Sequence, residues 1–276
     1  MDSVLQSVAH RPWPLPQGPW VIQFTWQDLL FAHWPVEAEA LRALVPAPLE
    51  LDLFDARAWV GVIPFRMSGV RLRGLPAVPG LAHFPEVNVR TYVRQGGRAG
   101  VYFFSLDAAS WTACRAARLW YRLPYFHARM QVEAEGEATT YQSIRREGPR
   151  PAEFHARYQP ISAPSRAAPG TLAHWLTERY CLFAVDARGR VHRADIHHAP
   201  WPLSEAEAEI ARNTLAAAAG VRLPQQPPLL HFARRLDVLV WPPQRIPCKG
   251  KLGSVSLAVS FALQASSGAA APSNCR

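Results

Sequence analysis

Apolar and polar residues alternate along much of the chain, and a period of two is the mark of strands with one face buried. The clearest case is residues 86–94, where Glu86, Asn88, Arg90 and Tyr92 share one face and Val87, Val89, Thr91 and Val93 the other. The turn Gln95-Gly96-Gly97 then leads into a second alternating run, 98–107, which predicts a hairpin. Residues 125–134 and 138–146 form a similar pair around Glu135-Gly136; in the first of them Tyr125, His127 and Arg129 share a face opposite Phe126, Ala128 and Met130. Further strand pairs are predicted over 49–54 and 58–66, joined by Asp55-Ala56-Arg57, and over 178–186 and 190–197, joined by Ala187-Arg188-Gly189; 229–241 reads as the last strand. Helical spacing covers 36–45, closed by Pro46, then 108–121 and 171–177. Ser204 with Glu207 three residues on makes a capping box, which predicts a helix running through the following alanines to Gly220.

Hairpins with a few inserted helices, and neither a fixed-period repeat nor a linker, predict one α+β domain. It is mainly antiparallel β and built on a large curved sheet or barrel. That domain is placed at 20–242, after a proline-rich N-terminal segment over 1–19 and before a tail, 243–276, whose alanine, serine and glycine content predicts disorder. A chain of 276 residues with 49% hydrophobic content can bury a sizeable core, and its ten tryptophans and 26 prolines favour short strands over a helical bundle.

Charge and cysteine usage narrow the partners. The net charge is +9, but the arginines come singly or in pairs among acids, which argues against nucleic acid. No apolar run approaches the roughly 20 residues that span a bilayer, and residues 1–18 lack a signal-peptide core, so the expectation is a cytoplasmic protein with no membrane partner. Cys114, Cys181, Cys248 and Cys275 are widely spaced, as isolated reduced thiols would be. No phosphate loop or dinucleotide spacing is present, and no cofactor is predicted. His197 and His198 are adjacent and on a strand would point to opposite faces. Neither they nor His33, His127, His174 and Glu178 show ligand spacing, so no metal is predicted.

What remains as candidate chemistry is the pair of polar strand faces, Glu86-Asn88-Arg90-Tyr92 and Tyr125-His127-Arg129. Two readings stand open. The rows face water, as in any half-buried sheet, or a barrel turns one inward to bind an anionic or polar small molecule. One exclusion is firm in composition: no lysine precedes Lys249, so residues 1–248 can run no chemistry on a lysine amine.

The runs WQDLLFAHWPV (26–36), LVPAPLELDLFDARAWVGVIPFRM (44–67), FPEVNVRTYV (84–93), GVYFFSLDA (100–108), PGTLAHWLTERYCLF (169–183), IHHAPWPL (196–203) and PLLHFARRLDVLVW (228–241) resemble the YqjF-like family of uncharacterised bacterial proteins, the domain of unknown function 2071. That family is similar to a distant branch of the acetoacetate decarboxylase-like superfamily. The resemblance implies a conical antiparallel β-barrel with inserted helices and a central cavity. It also implies that Tyr125 or Phe126 stands where the decarboxylases carry a Schiff-base lysine, and that Glu86, or Asn88 with an offset of two, matches a cavity carboxylate. On this basis Glu86, Asn88, Arg90, Tyr92, Tyr125, His127 and Arg129 are the expected ligand-binding residues. His127, Glu86 and Tyr125 are the candidates for acid–base work, and a buried Glu86 is expected to pair with an arginine. The leading expectation is a binder of a small organic, carboxylate-bearing molecule that is not a lysine Schiff-base decarboxylase. The alternatives are a lysine-independent hydratase or isomerase and a protein-interaction scaffold.

Overall fold

Aromatic and β-branched residues at alternate positions give the chain its long strands, and the structure, a computed structural model, describes residues 2–77 and 82–247. Cys248, Lys249, Lys251, Cys275 and the rest of the predicted tail beyond 247 lie outside the described residues. The first half runs α1 (Asp2–Gln6), β1 (Ile22–Val36), α2 (Ala38–Arg42), β2 (Glu50–Leu51), β3 (Ala58–Leu72), β4 (Phe84–Gln95), β5 (Arg98–Ala108), α3 (Trp111–Tyr121) and β6 (Tyr125–Glu135). It continues with β7 (Ala138–Arg145), β8 (Glu153–Pro160), β9 (Ser165–Arg166), α4 (Leu172–Thr177), β10 (Cys181–Val185) and β11 (Val191–His197). The last elements are β12 (Pro202–Asn213), α5 (Leu215–Ala218), β13 (Leu229–Val240) and β14 (Gln244–Ile246). Among them no helix is long and apolar enough to cross a membrane.

Seven strands close a hydrogen-bonded ring in the order β1, β3, β4, β5, β10, β11, β13 and back to β1. The β11–β13 contact that shuts it is short, Ile196 opposite Val240 and His197 opposite Leu239. A second run, β6–β7–β8–β12, leaves β5 through a parallel pairing and returns to β13. Between the two lies a core holding Val87 and Val89 of β4 with Tyr141, Phe154, Tyr158 and Phe232. The fold is therefore the expected α+β barrel, mainly antiparallel, with parallel joints at β5–β6 and β5–β10.

Local chemistry explains the turns. Gly96 and Gly97 both take positive φ, 60° and 77°, in the two-residue turn between β4 and β5. Asp55 and Ala56 do the same at 48° and 61° in the tight turn that links Phe54 to Arg57. Ser110 and Thr171 cap α3 and α4 by accepting from the backbone N–H of Ala113 and His174.

Three expectations are corrected. The stretch opened by Ser204 and Glu207 is not a helix but β12: Glu205, Glu207 and Glu209 face solvent while Ala206, Ala208 and Ile210 pack on the core, a period of two. Pairing with β8 outweighs the helix propensity of glutamate and alanine, and helix begins only at Leu215. The strand at 49–54 shrinks to β2, which pairs with β4 rather than with β3. The sheet also continues past residue 242, since β14 pairs with β11. At the other end the proline-rich segment is tied down: Arg11 Nη1 donates to the Ile196 carbonyl at 2.7 Å, and Trp13 Nε1 to Asp195 at 3.2 Å.

Among the described glycines, Gly100 on β5 has the least room for a side chain. A Cβ there would stand 2.6 Å from the backbone carbonyl of Cys181 and 2.7 Å from its sulfur. Backbone cannot yield as a side-chain tip can, so Gly100→Ala is expected to lose about 1–3 kcal/mol of stability. A lower urea midpoint at unchanged slope is the readout, and an unshifted midpoint would contradict the close β5–β10 approach.

Candidate functional site

The seven-strand ring encloses a cavity of about 480 Å³. Its walls are mostly apolar, with Phe24 and Trp26 from β1, Ile63 and Phe65 from β3 and Phe103 from β5; α3 runs along one side. Into this wall β4 sends Glu86, Asn88 and Arg90, because alternation commits Val87 and Val89 to the core on the opposite face. The polar row of β4 thus faces inward, and the water-facing reading fails for it.

Glu86 is 3% exposed, and its hydrogen bond is with Tyr125, whose hydroxyl donates to Oε2 at 2.9 Å. Burial, reinforced by the nearby Asp107 carboxylate, pushes the Glu86 pKa from the ordinary 4.5 to about 8, against the opposing pull of the Tyr125 bond. The arginine partner expected for a buried Glu86 is absent among the described residues; protonation removes the charge instead. Tyr125 is itself held well above its ordinary range by burial and by Glu86. At neutral pH Tyr125 therefore donates to a carboxylic acid whose own O–H remains free to act as a donor. Cys114 lies close by, but burial pushes its thiol up to about 12, so it offers no thiolate.

A second polar group gathers around Arg90 and Arg179. Arg179, between α4 and β10, donates from Nε to the Trp175 carbonyl at 2.6 Å and from Nη1 to Asp52 at 2.5 Å. Asp52 also takes Arg94 at 2.5 Å. Arg90 donates to the Leu176 carbonyl at 3.3 Å and has no carboxylate partner among the described residues. Four buried polar atoms on cavity-lining residues find no protein partner: Asn88 Oδ1, Arg90 Nε, Arg179 Nη2 and Trp201 Nε1. Unmet buried groups are costly, and four of them share this one cavity wall. His198 lines the same region; burial lowers its pKa, which keeps it neutral.

Of the residues singled out from sequence, Glu86, Asn88, Arg90 and Tyr125 meet on this cavity. Tyr92 lies buried outside the lining, its hydroxyl 2.6 Å from His33 Nε2. His127 is half-buried and outside the lining, with its backbone N–H donating to Glu147, and Arg129 is exposed. They diverge from Tyr125 because β6 pairs with β5 only up to Ala108 opposite His127 before joining β7. Of the two positions aligned with the Schiff-base lysine, Tyr125 faces the cavity, whereas Phe126 stacks under Arg145, 4.0 Å from the ring centroid. Arg179, Thr177, His198 and Trp201 join the lining without having been singled out as ligand-binding residues. In the sequence Arg179 is simply one position of the strand predicted over 178–186. His197 and His198 do point to opposite sides, His197 toward the Val4 carbonyl and His198 into the aromatic wall beside Tyr180.

Comparison with known proteins agrees with this architecture. The model of the family DUF2071, described as an uncharacterized conserved protein, matches residues 23–237. The uncharacterized protein YqjF of Bacillus subtilis (strain 168) is 50% identical over 228 residues, covering 83% of this chain and 93% of that protein. Among solved structures, acetoacetate decarboxylase from Legionella pneumophila superposes with a TM-score of 0.57 at 14% identity, covering 87% of this chain and 93% of that one. The enduracididine biosynthesis enzyme MppR, complexed with pyruvate, gives 0.58 at 11% identity, covering 87% and 94%. At such identities the structures share the fold, while the sequence matches fix the family: the chain belongs to the YqjF-like family DUF2071, on the acetoacetate decarboxylase-like fold.

Proposed function

We propose that this protein is a cytoplasmic receptor or enzyme for a small organic acid, bound in the barrel with its carboxylate toward Arg90 and Arg179. The observation that carries the reading is the unpaired polar set on the cavity wall: two guanidinium groups with unused donors, of which Arg90 lacks any carboxylate partner among the described residues. A carboxylate supplies the missing acceptors and charge in one group. That MppR, on the same fold, is found with pyruvate supports the ligand class. The free thiols of Cys114 and Cys181 suit a reducing compartment.

Glu86 favours a catalytic second reading. A protonated acid held by Tyr125 on the cavity wall can donate to a carbonyl or hydroxyl oxygen of the ligand and take the proton back, the working cycle of a hydratase or isomerase. With no lysine in residues 1–248, no described residue can form the Schiff base of a decarboxylase. Thermal shift against a panel of small carboxylic acids tests the binding claim, since a ligand at 100 times its Kd stabilises by about 2.7 kcal/mol. Arg90→Met should abolish the shift while leaving the unliganded melting temperature near its original value. Failure of every acid to shift the protein would sink the reading. Turnover lost in Glu86→Gln with binding retained would assign the enzyme.

A further inference from the structure

The exposure of the cavity lining runs in an unusual direction. Glu86 at 3%, Asn88 at 4% and Arg179 at 5% are buried about as deeply as the apolar residues around them, while the lining side chains that open to solvent are mostly apolar, among them Leu72 at 45%, Leu75 at 56% and Trp120 at 39%. Arg179 and the partnerless atoms of Asn88 and Arg90 therefore sit inside, and the rim is mostly hydrocarbon, with Thr112 and Arg71, which donates to Gln23 at 3.0 Å, as its polar members. Apolar side chains dominate the wall between, and Glu86, being protonated at neutral pH, adds no charge to it. On the α3 side Ala113, Ala116 and Ala117 leave the bore wide.

We propose that the ligand is an amphiphilic monocarboxylic acid, seated with its carboxylate innermost at Arg90 and Arg179 and its hydrocarbon body lying along the barrel to the rim at Leu72, Leu75 and Trp120. This rests on the carboxylate reading above and adds the body of the molecule. A two- or three-carbon acid would satisfy the arginines and leave most of a cavity of about 480 Å³ as wetted apolar wall. A chain of methylenes covers that wall. The exposed leucines and tryptophan then have a function: they shield the part of the chain that reaches the opening.

The test is a homologous series of straight-chain acids from acetate to dodecanoate, each with the alcohol of equal length, titrated below micellar concentrations into the full-length protein. The tryptophan fluorescence of Trp26 and Trp201 on the wall reports binding. Expected is a Kd that falls by about fourfold for each methylene added, levels off once the chain reaches the rim, and is lower for each acid than for its alcohol. Ala116→Trp, which narrows the bore, should bring the levelling-off to shorter chains. Acids that bind with no dependence on length would overturn the amphiphile and leave the carboxylate reading standing. Alcohols that bind as tightly as acids would overturn the inner carboxylate and with it this proposal. No binding by any acid ends both. The series on the unaltered protein decides among these outcomes, whether or not the Ala116 variant folds.

Discussion

Glu86→Gln is expected to gain on the order of 5 kcal/mol of stability relative to the unaltered protein as the pH is raised from 4.5 to above 8. In the unfolded chain the carboxyl ionises near its ordinary 4.5, and in the folded barrel only near 8. Between those values the unfolded state has released a proton that the folded state still holds, so each step up in pH favours unfolding. The loss is complete once the pH exceeds 8. Glutamine keeps the shape and an acceptor for Tyr125 but has no proton to lose. The difference between the two proteins is the quantity to measure, because other groups bend the profile of each. His197, pushed down to about 4 by burial, works in the opposite sense between pH 4 and its ordinary 6.5. That contribution is common to both proteins and cancels. Urea unfolding at a series of pH values from 5 to 9 gives the two curves; if they run parallel, Glu86 is ionised in the folded state and the neutral-acid role fails with it.

The sequence revealed the row that holds Glu86 but not the side on which it lies. Alternation in β4 and the paired glycines of its turn are local, and both hairpin and face-sharing follow from them. Which face becomes the interior depends on the ring closing where Ile196 meets Val240, a contact between segments that local patterns cannot join. The same limit misled the grouping of His127 and Arg129 with Tyr125: they do share a strand face, but β6 changes partners beneath them and takes only its first residue to the cavity. Arg179 gave little signal because its partner Asp52 lies 127 residues away. Asp28, at φ 49° in a bulge of β1, breaks the register with β3 and with it the alternation that would have announced this strand. At Ser204 a valid local motif was outcompeted by pairing to β8, where the glutamates of a would-be helix face become the solvent side of a strand.

The other large effect is expected at Asp107. Its carboxylate is fully buried and accepts from Arg145 twice, from Nε at 2.8 Å and from Nη2 at 2.6 Å, and Arg145 is itself only 4% exposed. Burial pushes the Asp107 pKa up and the two bonds to Arg145 pull it back. A pair so deeply desolvated adds little net stability, yet removing one member strands the other, so Asp107→Ala should cost about 3–5 kcal/mol. Replacing both, as Asp107→Leu with Arg145→Met, should recover most of that loss, because no uncompensated charge remains. Denaturant unfolding of the two single variants and the double variant closes the cycle; a double variant no more stable than Asp107→Ala would show that packing rather than charge holds this corner. Asp107 also bears on the cavity, since its negative charge is one of the causes that raise Glu86. Asp107→Asn, which keeps the shape and removes the charge, should move the pH window of the Glu86 effect downward. That shift, seen in the pH dependence and not in stability at one pH, ties the buried pair behind β5 to the proton that Glu86 holds on the cavity wall.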